Sequence, residues 1–251
     1  MEALAGYHSV REALRARRRR LLRMWIRSPA PRGAEGIQDL ADAAGVPVEW
    51  VPEAELEAKL PPGARSQGLV LEAEAIPELG LDAALALPVA ERPLIVALDG
   101  VEDPQNVGAI ARAAEAAGAR ALMLTRRRAP ALTPAVSRAS AGAIEHLPVV
   151  RVPNLARALR ELGTSGYWRL GADAGAAVQP YWAARALWAA PAVLVLGSEE
   201  YGLRPGVARE LDQRLRIPMR GRVESLNVAA AAAVLLFDAA RSREAAEIPE
   251  G

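Results

Sequence analysis

The chain has no cysteine, and His8 and His146 are its only histidines. Disulfides are therefore excluded, and a zinc or iron–sulfur site would lack its usual ligands, so no metal is expected. Aromatic residues make up 4% of the sequence, which leaves few platforms for stacking. No apolar run is long enough to span a membrane, and the N-terminus lacks the apolar core of a signal peptide, so a cytoplasmic globular protein is expected. Nucleotide signatures are missing as well. G-x-G-x-x-G occurs neither at Gly100 nor at Gly197, and the phosphate loop G-x-x-x-x-G-K-[ST] occurs nowhere, which disfavours ordinary dinucleotide and P-loop enzymes.

What is present is a chain of 251 residues, 51% of them hydrophobic, enough to build one large domain or two ordinary ones. Its net charge of +1 hides a strong asymmetry. Residues 1–34 hold nine arginines against Glu2 and Glu12, whereas residues 35–75 hold nine acids against Lys59 and Arg65. A local anion-binding face is compatible with a near-neutral total. The run Arg17, Arg18, Arg19, Arg20 reads equally well as a solvated helix end.

Residues 1–75 alternate helical and strand patterns: helix over 8–19, strand 22–27, helix 36–44, strand 46–50, helix 53–59, strand 68–73. This is a small α/β unit. Residues 76–92 are poor in β-branched side chains and rich in proline, and fit a linker or loose helical connection. From Pro93 to the C-terminus, apolar runs at 94–98, 120–124, 148–152, 167–171, 192–196 and 214–217 alternate with helical stretches. Continuous apolar strands between helices predict a mainly parallel sheet covered on both faces, with ligands at the carboxyl ends of its strands.

Three segments follow such strands. After 94–98, Asp103 and Pro104 make a good helix start, and Asn106, Gly108 and Arg112 share the first turns. After 192–196 comes Gly197-Ser-Glu-Glu-Tyr-Gly-Leu203, in which a glycine lets a ligand lie against backbone amides and Glu199 stands at the strand end. After 214–217 comes Ile217-Pro-Met-Arg-Gly-Arg-Val-Glu-Ser-Leu-Asn-Val-Ala229, where Ser225 reads as a helix N-cap and Asn227 as a residue just inside the helix. The alanine-rich helix beyond is apolar enough to be buried or to form a subunit contact.

Together and in this order, these segments resemble the three motifs of the SpoU/TrmH (SPOUT) family of RNA 2′-O-ribose methyltransferases. The match consists of N-x-G-x-x-x-R at Asn106, Gly108 and Arg112, then L-G-x-E-x-x-G-L at 196–203, then I-P-M-x-G-x-x-x-S-L-N-V-A at 217–229. Residues 139–146 are similar to the family's S-x-G-A-x-E-H stretch. Gly6–Leu14 and Ser66-Gln-Gly68 resemble the small substrate-binding domain of the branch that modifies guanosine in 23S rRNA, although Ser66 stands where a His is expected.

The resemblance implies an L30-like N-terminal domain and a C-terminal α/β domain tied in a deep trefoil knot, dimerising through that C-terminal domain. It implies S-adenosylmethionine as cofactor, held by Gly197, Ile217 and Leu226 with Thr125 as a less central neighbour. Asn106, Glu199, Ser225 and Asn227 would build the catalytic site, with Arg112 nearest the reacting hydroxyl. Arg17 to Arg20 and Arg126, Arg127 and Arg128 are candidate RNA contacts, while Trp25, Trp50 and Tyr7 read as core. The substrate implied is large-subunit rRNA. Alternatives are a tRNA-directed or resistance-type rRNA enzyme, a non-catalytic RNA-binding assembly factor, and a small-molecule nucleotide enzyme.

Overall fold

The structure, a computed structural model, describes residues 1–61, 64–88, 92–175 and 178–247. In chain order its elements begin with β1 (Glu2–Ala5), α1 (Tyr7–Ala16), β2 (Leu21–Arg27), α2 (Ala34–Ala43), β3 (Val48–Val51), α3 (Glu53–Glu57) and β4 (Leu69–Ala73). They continue through β5 (Glu78–Leu79), α4 (Leu81–Leu85), β6 (Leu94–Asp99), α5 (Pro104–Ala116), β7 (Ala121–Thr125), α6 (Pro134–Ala139), β8 (Val149–Val152), α7 (Leu155–Thr164) and β9 (Trp168–Ala172). Last come β10 (Gln179–Pro180), α8 (Arg185–Trp188), β11 (Ala192–Gly197), α9 (Pro205–Ala208), β12 (Gln213–Arg216) and α10 (Val228–Glu247). The chain divides into two compact units, Met1–Pro77 with Ala131–His146, and Glu78–Pro130 with Leu147–Gly251.

The first unit is built on a four-stranded sheet of order β1-β4-β2-β3. Leu4, Met24, Ile26, Leu69 and Leu71 bury one face against Val10, Leu14 and Ile37 of α1 and α2. Helix α1 stops at Ala16 because Arg17 turns into the left-handed region (φ 49°) and returns its N–H to the Ala13 carbonyl. The basic run expected inside a helix is therefore a short link into β2. Arg19 in that link is buried: its Nε and Nη2 grip Glu145 at 2.9 and 2.5 Å, and Nη1 reaches Glu2 at 2.8 Å. Ser137 donates to the same Glu145 carboxylate at 2.8 Å. These bonds fasten residues 131–146 to β1 and to the link between α1 and β2. Trp25 is buried as expected, but Trp50 is 43% exposed on β3, which lies at the edge of the sheet.

The two N-terminal motifs meet in this unit. Gly6 (φ 93°) donates its N–H to the Ser66 carbonyl, and a side chain at Gly6 would press on Gln67. The buried Ser66 hydroxyl accepts from the Gly68 amide and donates to Glu57 at 2.5 Å.

The second unit is an eight-stranded parallel sheet of order β10-β12-β9-β11-β6-β7-β8-β5. Ile95, Ala97, Met123, Val193 and Val195 pack with Leu155, Leu159 and Leu162 of α7. Their alternates Leu94, Val96, Leu98, Leu122, Leu194 and Leu196 are buried as well. Burial on both faces explains why these strands read as unbroken apolar runs rather than as alternation. The segment expected as a linker forms β5, which extends the sheet beside β8, and the single turn α4, whose Leu81 and Ala84 enter the core. Arg120 holds that turn by donating to the Ala84 and Leu87 carbonyls at 2.8 and 2.5 Å. Among the described residues, no helix is long and apolar enough to cross a membrane.

Candidate active site

Strands β6 and β11 run side by side in the sheet, with Leu98 opposite Leu196 and Asp99 opposite Gly197. From β6 the chain leads toward β7 on one side, while β9 and β12 lie on the other, so the strand order reverses here. Such a switch point opens a crevice at the carboxyl ends of the strands. The loops after β6, β11 and β12 all converge on it.

The loop after β11 folds back tightly. Ser198 and Gly202 exchange both backbone hydrogen bonds, at 3.2 and 2.9 Å, and the Tyr201 amide donates to the Ser198 hydroxyl at 3.1 Å. A Cβ on Gly197 would lie 2.3 Å from the carbonyl carbon of Gly202, so the turn closes only over glycine. Asp99, fully buried at the end of β6, anchors the far side by accepting from the Arg204 amide at 2.8 Å and its Nε at 2.6 Å. This Asp99–Arg204 clamp was not anticipated from sequence; the hint was an acid closing an otherwise apolar strand.

Glu199 is the centre of the cluster. Its Oε1 accepts from Asn227 Nδ2 at 2.5 Å, from the Val228 amide at 3.1 Å and from Asn106 Nδ2 at 3.3 Å. Asn227 Nδ2 also donates to Asn106 Oδ1 at 3.0 Å. Three expected site residues, Asn106 from the first turn of α5, Glu199 from the loop after β11 and Asn227 from the start of α10, thus form one hydrogen-bonded group. Among the described residues the donors all fall on Oε1, so that Oε2 can receive a ligand hydroxyl or amine.

Asn227 is not inside the helix but is its N-cap. Its Oδ1 accepts from the Ala229 and Ala230 amides at 2.9 and 3.3 Å, and α10 begins at Val228. Ser225, the expected cap, lies two residues too early and is an exposed residue of the cleft wall. Asn wins the cap position because its amide accepts from the helix and donates to Glu199 at once.

A cleft of about 650 Å³ adjoins the cluster, walled by Gly197, Ile217, Leu226, Ser225, Glu199 and Tyr201 among others. Three expected cofactor contacts therefore face one space. Thr125 is not among its lining residues; it is buried at the end of β7, its hydroxyl donated to the Arg127 carbonyl. Arg112 is exposed on α5 and takes no part in the Asn106–Glu199–Asn227 bonds. Tyr201 has its phenol pKa raised, chiefly by a hydrogen bond to the Glu200 carboxylate, so the hydroxyl stays protonated at neutral pH. Among the described residues, no three His, Cys, Asp or Glu side chains are grouped to hold a metal ion.

Of the expected RNA contacts, Arg17, Arg20, Arg126, Arg127 and Arg128 are exposed and Arg18 is half-buried. Arg19 has to be removed from that set. Its side chain is 2% exposed and spent on two carboxylates, so no phosphate can reach it.

Comparison with known proteins agrees with this geometry. Residues 93–237 match the SpoU rRNA Methylase family, and residues 3–79 match the RNA 2′-O ribose methyltransferase substrate-binding domain. A 23S rRNA (guanosine-2′-O-)-methyltransferase, RlmB, of Ralstonia nicotianae is 38% identical, covering 96% of this chain and 95% of its own length. The crystal structure of an AdoMet-bound rRNA methyltransferase from Sinorhizobium meliloti superposes with a TM-score of 0.73 at 27% identity, covering 96% of this chain and 87% of the other. The SpoU methyltransferase AviRb from Streptomyces viridochromogenes gives a TM-score of 0.79 at 25% identity, over 98% and 90% of the two chains. With its methylase match spanning more than half the sequence and its motif residues gathered around one cleft, the chain belongs to the SpoU rRNA methylase family.

Proposed function

We propose that the chain methylates the ribose 2′-hydroxyl of a guanosine in 23S rRNA, using S-adenosylmethionine and acting in the cytoplasm. Membership of the family makes it an RNA methyltransferase; the guanosine and the 23S molecule are carried over from relatives such as the R. nicotianae enzyme. The observation that carries the reading is the Asn106–Glu199–Asn227 group at the edge of the cleft. The cleft suits the cofactor. Leu196, Leu215, Ile217 and Leu226 offer apolar walls, and the backbone of the tight turn that begins at Gly197 lines the same space.

When bound, S-adenosylmethionine supplies a methyl already activated on a sulfonium. What remains for the protein is to orient the ribose and to let its hydroxyl proton leave. Asn106, Glu199, Ser225 and Asn227 do the orienting, with Glu199 Oε2 as the free acceptor. Gly197, Ile217 and Leu226 would hold the cofactor, with the buried Thr125 at the end of β7 as a more distant support. Arg112 binds the phosphate next to the reacting ribose. Guanidinium stays protonated in proteins, so it serves as a bidentate phosphate ligand and not as the base. Arg17, Arg20 and Arg126 to Arg128 add phosphate contacts, which makes RNA affinity fall with salt.

The catalytic unit carries the family's trefoil knot and pairs with a second copy through α10. Supporting that pairing, Ala230, Val234 and Phe237 form an exposed stripe at helical spacing, with Phe237 53% exposed.

The test is transfer of labelled methyl to unmodified rRNA and tRNA transcripts, with the product mapped by its resistance to alkali. One guanosine in 23S rRNA is expected, lost in Arg112→Ala while cofactor affinity persists. Transfer to tRNA alone, or cofactor binding without transfer to any RNA, would overturn the assignment.

A further inference from the structure

Aromatic side chains are scarce in this protein, and Tyr201 is the most exposed of the large ones, at 78%. A single exposed aromatic is unremarkable on most surfaces. Its placement sets this one apart. The turn beneath it is closed by the paired Ser198–Gly202 backbone bonds and by the Tyr201 amide on the Ser198 hydroxyl. Gly197 packs without clearance against Gly202, and Asp99 pins Arg204 just beyond. Two residues away on the same turn is Glu199, and the tyrosine itself lines the cleft. The backbone that carries the ring is fixed, and the ring itself stands open to something flat beside the cleft.

RNA enzymes that reach a ribose in a loop or bulge splay the nucleotide out, and splayed bases are held by stacking on aromatic faces. The fixed cluster of Asn106, Glu199 and Asn227 can orient a ribose but offers nothing to hold a base. We propose that Tyr201 stacks on the base of the methyl-accepting nucleotide and so delivers its ribose to Glu199. The inference rests on the RNA methylation reading above and goes beyond it by naming the group that grips the base. Stacking uses the ring and not the hydroxyl, so phenylalanine or tryptophan should serve in its place.

The experiment compares the full chain with Tyr201→Ala, Tyr201→Phe and Tyr201→Trp on an unmodified 23S rRNA fragment, measuring KM for RNA and KM for cofactor separately. Tyr201→Ala is expected to raise the RNA KM about tenfold or more, the range that loss of one aromatic–base stack produces. Cofactor KM, with the ring at the wall of the same cleft, rises by less than about threefold, the thermal midpoint stays at the wild-type value, and the Phe and Trp variants stay within about threefold of wild type in RNA KM. An alanine variant equal to wild type would overturn the proposal. So would a rise confined to cofactor KM, which would put the ring on the cofactor, or a phenylalanine variant as weak as alanine. A wild-type protein that methylates no transcript sinks the underlying reading and the stacking with it, and the wild-type control keeps that outcome apart from the others.

Discussion

Glu199 Oε1 accepts three hydrogen bonds, and two of them come from Asn227 or the amide just after it. Asn227 therefore holds a helix start and the Glu199 carboxylate with one side chain. Those two jobs are separable by substitution. Asn227→Ala removes both, and the lost cap alone costs about 1 kcal/mol. Asn227→Ser keeps a good capping oxygen but is too short to donate to Glu199 and Asn106. Thermal unfolding of the serine variant is expected near wild type, while methyl transfer drops on the order of 10²-fold in both variants, as loss of positioning does. Full activity in Asn227→Ser would show that the cap is all Asn227 provides. The sequence presented Asn227 with no local reason to be there, since asparagine has little advantage inside a helix. The reason lies in residues 106 and 199, which no window of neighbouring sequence contains. Ser225 was the more persuasive cap by residue type, and only the observed start of α10 at Val228 displaces it.

At the level of elements, the strands β6, β7, β8, β9, β11 and β12 were legible: β6, β7 and β11 because burial on both faces writes a continuous apolar run, and β8, β9 and β12 from shorter apolar stretches broken by Arg151, Arg169 and Arg214. β1, β5 and β10 were not. Four or two residues show no period, and they are strands because a neighbour offers a ladder, as β4 does for Glu2–Ala5. The association of residues 131–146 with the first unit was illegible for the same reason on a longer scale. Its chief tie joins Arg19 to Glu145, 126 positions apart. Both side chains are 2% exposed, and the carboxylate also accepts from Ser137. Removing one partner strands a buried charge, which costs about 3–5 kcal/mol, whereas replacing both with apolar groups costs far less. Arg19→Met is thus expected to loosen amide hydrogen-exchange protection in β1, β4 and α1, and Arg19→Met with Glu145→Leu to restore most of it. Equal protection in Arg19→Met and wild type would mean that the pair does not secure this segment. The same burial explains why a run of four arginines, read as one patch, contributes only its exposed members to any RNA surface.

For the whole molecule, the motifs were legible as words and the cleft as their meeting place followed from parallel-sheet geometry, but the residues left facing solvent could not be read in advance. Helix α10 shows this. Its alanine-rich sequence permits burial all round, and the structure buries Ala232, Leu235, Leu236 and Ala239 while leaving Val234 and Phe237 exposed. Its start borders the cleft through Leu226 and Asn227, so a second copy seated on the stripe would lie beside the site. A charge placed in the middle of such a contact is desolvated without a partner and blocks association. Phe237→Glu should therefore convert a dimer to a monomer in light scattering at low micromolar concentration. Because Phe237 is half-exposed, the change is expected to alter the stability of the fold by no more than about 0.5 kcal/mol. Trp50→Glu, at a larger aromatic exposed on the edge strand of the first unit, should leave the mass unchanged. A wild-type mass of one chain, or a Phe237→Glu protein that remains paired, would move the self-association away from α10 or remove it.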